Sequence, residues 1–583
     1  MTLNRETPVD IDASAASEPP AVAVRGTSAQ QPSSSAAIES FVFRLGVLSG
    51  ITTDNFWAFY GNEPSVWNSY ILGPTKPALF SLDTSTGSLT PELVLAQSAP
   101  TWNASGWRVR LQLNEAFKWS DGTPVTAHDY VFTFDTVRSL ELGGSWADSF
   151  PESMASVHAD SDYELRIEFR ERPTLATWPH AAGLAPVMPK HVWHDLVTDL
   201  DSAGLYALSG DNDVSGGPLM LVVDTGEHLM SAANPGYPIA NTPDSVEYHV
   251  YVTEEDLVGA LLAGDIDSAL TPKGLTQEHV AAVQDAKDVS VVANPANGIR
   301  YLGFNLNREP MSEHAFRASV ALLLDRESLA PSTPESTGAA MSMIPRANRQ
   351  WFDETAAAEN AELYGGDIGL RLAKALEGLE GAGYTWAKVP SIDDSGAFSG
   401  GEGLLIDGRP PQPLTILTPG DEYDPGRTAY VQEIADTLAF LGFDARPVET
   451  DFDTVVDLAF TPGEDGELHY DMYMLGWTLG SPALPAYYRP LFSPDGVMNN
   501  TGYSSEAFTK ALHDYEMAYT EAAARDALWN MEATLFADLP YLPLYSSQIT
   551  EIYRSDRVWF DLDPGLGGLQ ARLGGIGDVR PKH

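Results

Sequence analysis

His191 and His194, three positions apart, are the first residues that could hold a metal. Zinc needs three or four ligands, so the pair is incomplete by itself, and an ordinary half-buried or surface pair is the plainer reading. Asp211, Asp213 and Ser215 ahead of Gly216 imitate the opening of a calcium loop, but Val222 stands where a bidentate glutamate would close it. Asp421, Glu422 and Asp424 could supply an acid and a base; they read more simply as a solvated loop. The motifs H-E-x-x-H, G-x-x-x-x-G-K-[ST], G-x-S-x-G and a complete G-x-G-x-x-G are missing. What the chain does offer is aromatic rings beside polar groups: Asn55, Phe56 and Trp57; Trp67 and Asn68; Trp477 with Tyr487 and Tyr488 in GWTLGSPALPAYY. Rings and amides suit sugars and other polar organic molecules. The competing reading of each ring is an ordinary core aromatic.

The elements around these residues are legible. Val109, Leu111 and Leu113 alternate with Arg108, Arg110 and Gln112, the period of a half-buried strand. Ser120-Asp121-Gly122-Thr123-Pro124 then breaks the run with turn chemistry. Thr126 and Asp129 have capping-box spacing, so a helix should start near Ala127 with Tyr130, Phe134 and Val137 on one face. Helices are predicted over 368–383, with Gly383 suited to end it, over 428–442, and near 505–519 and 522–536. Strands are predicted over 41–48, 165–169 and 470–475. Residues 391–413, rich in Gly and Asp, should be a surface loop.

The 583 residues are too many for one ordinary domain. The net charge of −47, from 81 acidic and 34 basic residues, argues against a nucleic-acid partner, because nothing would neutralise a phosphate backbone. Its plain meaning is solubility. The absence of cysteine excludes disulfides, thiolate metal sites and a cysteine nucleophile. No apolar run approaches the length of a membrane span. Residues 1–40, rich in Ala, Ser, Pro and Glu, lack the apolar core of a signal peptide and read as a disordered linker.

The string Lys118-Trp119-Ser120-Asp121-Gly122, with Pro124, Thr126, Ala127 and Asp129, resembles the signature near the N-terminus of extracellular solute-binding proteins of family 5, the dipeptide/oligopeptide-type receptors of ABC importers. Tyr130 departs from the usual Val. Similar pieces follow in family order: PVMPKHVW at 186–193, ALLAGDID at 260–267, YLGFNLNR at 301–308 and FRASVALLLDRESL at 316–329. The resemblance covers roughly residues 41 to 560.

It implies an α/β, two-lobed periplasmic-binding-protein-like fold of type II, cluster C, with an extra inserted domain and a hinge. Lobe I would comprise 41–66, 208–299 and 545–583; the insertion 67–207; lobe II 300–544. The chain would cross between lobes near Gly298–Leu302 and Leu542–Tyr545. In peptide-binding members an Asp that pairs with the peptide ammonium follows the Gly-Trp pair by a few residues. Here Trp477 is followed by Thr478, Leu479, Gly480 and Ser481, with no carboxylate. A buried ammonium without a counter-charge costs several kcal/mol, so a free peptide N-terminus loses its partner and oligosaccharides gain weight as the alternative. The ligand-binding residues implied are Trp477, Ser481, Tyr487, Asn55, Trp57, Trp67, Asn68, Met343 and Arg346. Arg346 would meet an anionic group of the ligand, against the plainer reading of a surface salt bridge. The expectation is a monomeric, non-enzymatic receptor without cofactor or metal. It would work extracellularly or in the periplasm with an ABC permease, held to the membrane only by a lipidated N-terminus upstream of residue 1. An extracellular hydrolase and a ligand-dependent sensor module are the rivals.

Overall fold

The computed structural model describes residues 40–582 except 82–91, 212, 225–227, 240–242, 273, 331–335, 394, 421–424, 480–482, 561–565, 567, 570–575 and 578. Its spine is one mixed, eleven-stranded sheet. In chain order the strands are β1 (Val42–Val47), β2 (Leu219–Asp224), β3 (His228–Ala233), β4 (Ser245–Val250), β5 (Ser268–Leu270), β6 (Val289–Phe304), β7 (Ser336–Ala339), β8 (Leu414–Pro419), β9 (Ala445–Thr450), β10 (Met472–Thr478) and β11 (Tyr541–Arg554). They lie in the order β9-β8-β10-β6-β11-β5-β1-β4-β3-β2, with β7 also on β11.

The two longest strands, β6 and β11, run through both halves. Val289–Pro295 pair with Gln548–Arg554 on the side of β5 and β1, and Ile299–Gly303 pair with Tyr541–Ser546 on the side of β10. Between these stretches the register breaks, at Pro295–Ile299. Proline has no N–H for the ladder, and Gly298 lets the neighbouring chains come close. A Cβ on Gly298 would lie 2.9 Å from the Trp477 carbonyl oxygen and 2.8 Å from Ser547 Oγ. The break shares Gly298 and Ile299 with the stretch 298–302 expected to cross.

Each half has its own core. Phe43, Leu45 and Val47 of β1 pack with Val246 and Tyr248 of β4. Across the break, β10 is buried on both faces, which is why MYML reads as an unbroken apolar run. Met472 and Met474 face one cluster with Phe316, Ile434 and Leu438, whereas Tyr473 and Leu475 face another with Phe508, Leu528 and Met531.

A third unit has its own four-stranded sheet (Thr101–Trp102, Arg108–Gln112, Glu164–Phe169, Met154–Ser161). The predicted turn and cap form as read. Thr123 N–H donates to Asp121 Oδ1 at 2.9 Å, Gly122 takes φ +89°, and Thr126 N–H donates to Asp129 Oδ2 at 2.8 Å. Asp129 Oδ1 also accepts from Lys190 N–H at 2.9 Å, so one carboxylate caps the helix Ala127–Ser139 and ties down the start of Lys190–Val197. The core of this unit begins ahead of the expected residue 67: it takes in Phe56, Trp57, Phe59 and Tyr60. The described residues of 391–413 are mostly exposed, but Leu404 is buried in the core and the stretch contains short pairings, Ser391–Ile392 with Phe398–Ser399 and Tyr384–Thr385 with Leu405–Ile406.

Candidate functional site

The end of β10 lies on the crossing. Trp477 pairs with Ile299 and Thr478 with Gly298, and Leu479 N–H donates to Asn297 O at 2.7 Å. Trp477 is half-buried. Its ring is parallel to Tyr301 (6.3 Å, 2°) and edge-on to Phe460 (6.1 Å, 86°), and Tyr301 stacks in turn on Tyr541 at 4.0 Å. Behind this stack the hydroxyl of Tyr473 meets those of Tyr301 (3.2 Å) and Tyr541 (3.1 Å), and Asn500 Oδ1 accepts from Tyr473 and Tyr541 at 3.1 Å each. Burial pushes the Tyr473 hydroxyl far above its ordinary value and Tyr541 up to about 12. The block is therefore neutral, hydrogen-bonded and aromatic, a rigid support for the Trp477 indole.

Met343 and Tyr487 come together through a residue for which the sequence offers no motif. Glu532, on the helix Glu521–Asp538, accepts from Met343 N–H at 2.8 Å, from Tyr488 OH at 2.6 Å and from the Ser342 hydroxyl. Tyr487 stacks on Tyr488 (4.5 Å, 27°), with its hydroxyl 3.4 Å from Met343 O. One carboxylate thus pins the loop at 341–346 to the tyrosine pair. Burial raises its pKa.

The other expected residues divide. Arg346 is 76% exposed and pairs with Glu354, itself 62% exposed, at 2.7 Å, the surface salt bridge weighed against its ligand role. The pair sits at a cavity of about 340 Å³ whose walls come from residues 327–361, with Ser546 of β11 the exception, so this cavity belongs to one half. Asn55 is fully buried as the cap of the helix Phe56–Gly61: it accepts from Trp57 N–H and donates to Leu205 O (2.8 Å) and Leu208 O (3.0 Å). Trp57 is 0% exposed, 4.8 Å from Trp146 and edge-on to Phe132 and Trp193. Asn68 is also fully buried, accepting from Thr52 N–H at 2.9 Å and donating to Thr52 Oγ1 at 2.8 Å. Trp67 packs half-buried against the core of the first half. The amides of Asn55 and Asn68 and the ring faces of Trp57 are taken up inside the fold, whereas Trp67 keeps part of its surface free and Trp57 Nε1 is buried without a hydrogen-bond partner. Ser481 and the Asp421–Asp424 cluster lie outside the described residues.

The metal readings are satisfied by other partners. His191 pairs with Asp121 at 2.9 Å and His194 with Asp195 at 2.9 Å. Asp213 meets Lys76 at 2.7 Å and accepts from Trp193 Nε1 at 3.0 Å. Among the described residues no group of three metal-ligating side chains forms.

A segment of the inserted unit reaches the other half. Leu175 and Leu184 pack against the same cluster that Trp477, Leu484 and Tyr487 flank, and Leu175 N–H donates to Ala518 O at 2.8 Å. Between them, Ala176–Ala181 form a short π-helix interrupted at Trp178. His180 Nε2 is buried there without a hydrogen-bond partner, and burial pulls the imidazole down to about 4, so the ring is neutral. No periodicity or motif marks this segment, because its role depends on what lies opposite.

Two half-cores on one shared sheet, joined through β6 and β11 and carrying a third unit, define a two-lobed binding-protein fold. The sequence profile of bacterial extracellular solute-binding proteins, family 5, matches residues 90–499, and the chain belongs to that family. It is similar to the oligopeptide-binding protein AppA of Bacillus subtilis, 25% identical over 301 residues; that stretch is 50% of this chain and 53%, about half, of AppA. It is also similar to the peptide transport periplasmic protein SapA of Salmonella typhimurium, 23% identical over 83% of this chain and 84% of that one. Among solved structures, the ABC transporter substrate-binding protein CtaP of Listeria monocytogenes shares the fold, with a TM-score of 0.70, 16% identity and coverage of 93% of this chain and 100% of that chain.

Proposed function

We propose that this protein is the substrate receptor of an ABC importer, working outside the membrane. It would close its two halves over a peptide or similar polar solute and deliver it to a permease, without making or breaking a bond. The observation that carries this reading is the aromatic platform at the crossing: Trp477, braced by Tyr301 and Tyr541, sits where β6 and β11 pass between the halves. The names of AppA and SapA support a peptide as the solute. Among the described residues no helix is long and apolar enough to cross a membrane.

Trp477, Tyr487 and Met343 form one wall of the proposed site, and Ser481 is proposed as a further ligand contact from its place in the sequence after Trp477. His180 is the polar group offered by the facing segment, and a ligand atom would satisfy its buried Nε2. With Gly480 and Ser481 in place of a carboxylate, the site has lost the partner of a free ammonium. Peptides with acetylated and free N-termini should therefore bind alike. The test is native mass spectrometry of the purified protein, then calorimetry with tri- to pentapeptides, blocked and free, and with oligosaccharides. Trp477→Ala should weaken the bound peptide by about 10- to 100-fold, the scale of losing a buried aromatic anchor. A panel with no saturable binding, or turnover of a substrate by the protein alone, would overturn the reading.

A further inference from the structure

The inserted unit and the second half touch at one place where the contact is built from identifiable chemistry. The Arg172 guanidinium carbon lies 4.5 Å from the centre of the Tyr519 ring. Three residues on, Leu175 N–H donates to Ala518 O at 2.8 Å, and the Leu175 side chain packs on the core of the second half. Tyr519 stands in the short turn between the helices Glu506–Glu516 and Glu521–Asp538. It is 41% exposed, too much for a core ring, whereas its neighbour Ala518 is buried. Leu184 packs on the cores of both units, so the segment is anchored at its far end too.

We propose that Arg172–Leu175 and Ala518–Tyr519 form a latch that holds the two halves together before any ligand arrives. This rests on the receptor reading above and adds a regulatory element to the same site. The two parts ride on different bodies, so the contact exists only when the halves approach. Its strength therefore enters the open–closed equilibrium directly. The apparent affinity for ligand scales with the fraction of molecules already in the competent form. A cation–π pair at a half-exposed site is weak enough to open and strong enough to bias that fraction. The latch thus tunes affinity without touching the ligand.

The chain has no cysteine, so two introduced thiols label it uniquely. Ala155→Cys on the inserted unit and Ala507→Cys on the second half are both at exposed alanines. Spin labels there report the distance between the bodies by double electron–electron resonance in the ligand-free protein. Arg172→Ala should raise the ratio of long-distance to short-distance molecules about two- to fivefold, the range of an exposed cation–π pair. Tyr519→Ala should do the same, whereas Tyr519→Phe, which keeps the ring face, should leave the distribution as it is. The thermal midpoint should not move with the surface Arg172→Ala change. Superimposable distributions for wild type, Arg172→Ala and Tyr519→Ala would overturn the latch. Because no ligand is present, that failure is distinct from failure of the receptor reading, which shows as a ligand panel without binding.

Discussion

Glu532 is set apart from the chain's many surface carboxylates by its surroundings. Three donors converge on it from two segments far apart in sequence, Ser342 with Met343 and Tyr488. Its pKa in the folded protein is raised, because burial outweighs those hydrogen bonds. The unfolded chain therefore releases its proton first as pH rises. The stabilising contribution is fully present below the ordinary glutamate value, about 4.3, and is lost as pH rises through the folded value. Glu532→Gln removes that titration, so its thermal midpoint should gain on the wild type between pH 4 and pH 8, as read by scanning fluorimetry. A constant difference across that range would show that Glu532 titrates alike in both states. Glu532→Ala leaves the donors unmatched and should cost about 2–4 kcal/mol near pH 4, and less as pH rises and the wild type loses the contribution of the protonated acid. The sequence pointed to Met343 and Tyr487 but not to the carboxylate between them. A single acid on an exposed-looking helix turn has no local pattern, and only the approach of three segments defines it.

At the scale of elements, the stretch from Val109 to Val137 was readable because each step is local. Alternation makes the strand, Asp121 and Gly122 make the turn, and Thr126 with Asp129 makes the cap. The reading was incomplete in one respect: Asp129 also holds the Lys190 N–H, coupling two helices. Asp129→Ala should therefore cost more than an ordinary cap, about 2–4 kcal/mol against about 1, measured as the fall in unfolding free energy in urea. A loss of about 1 kcal/mol would mean that the second helix start does not depend on it. Asn55, Trp57 and Asn68 show the opposite case. An aromatic beside an amide looks the same in sequence whether it lines a cleft or caps a helix. Here Leu205, Leu208 and Thr52 take the amides and Trp146 takes the ring of Trp57.

For the whole molecule, the register break in β6 and β11 lies between the stretch that pairs on the side of β5 and the stretch that pairs on the side of β10. Gly298→Ala puts a methyl group against the Trp477 carbonyl and should destabilise the protein by about 1–3 kcal/mol in urea unfolding, as overpacking does. Gly259, inside the helix Glu254–Ala263 with open space at its Cβ position, is the control: Gly259→Ala should be neutral or stabilise by up to about 1 kcal/mol. Equal behaviour of the two variants would remove the close approach at the crossing as a constraint. The amino-acid order alone determined the family, the element types, the exclusion of thiolate and disulfide chemistry and the aromatic character of the Trp477 stretch. All of these follow from composition or from neighbours within a few residues. Which ring stays half-exposed and which is core, what Glu532 and Asp129 hold, where the strands lose register and which turn meets Arg172 were decided only by tertiary structure. Each of those is set by groups tens to hundreds of positions away, and burial and partnership are properties of the packed chain.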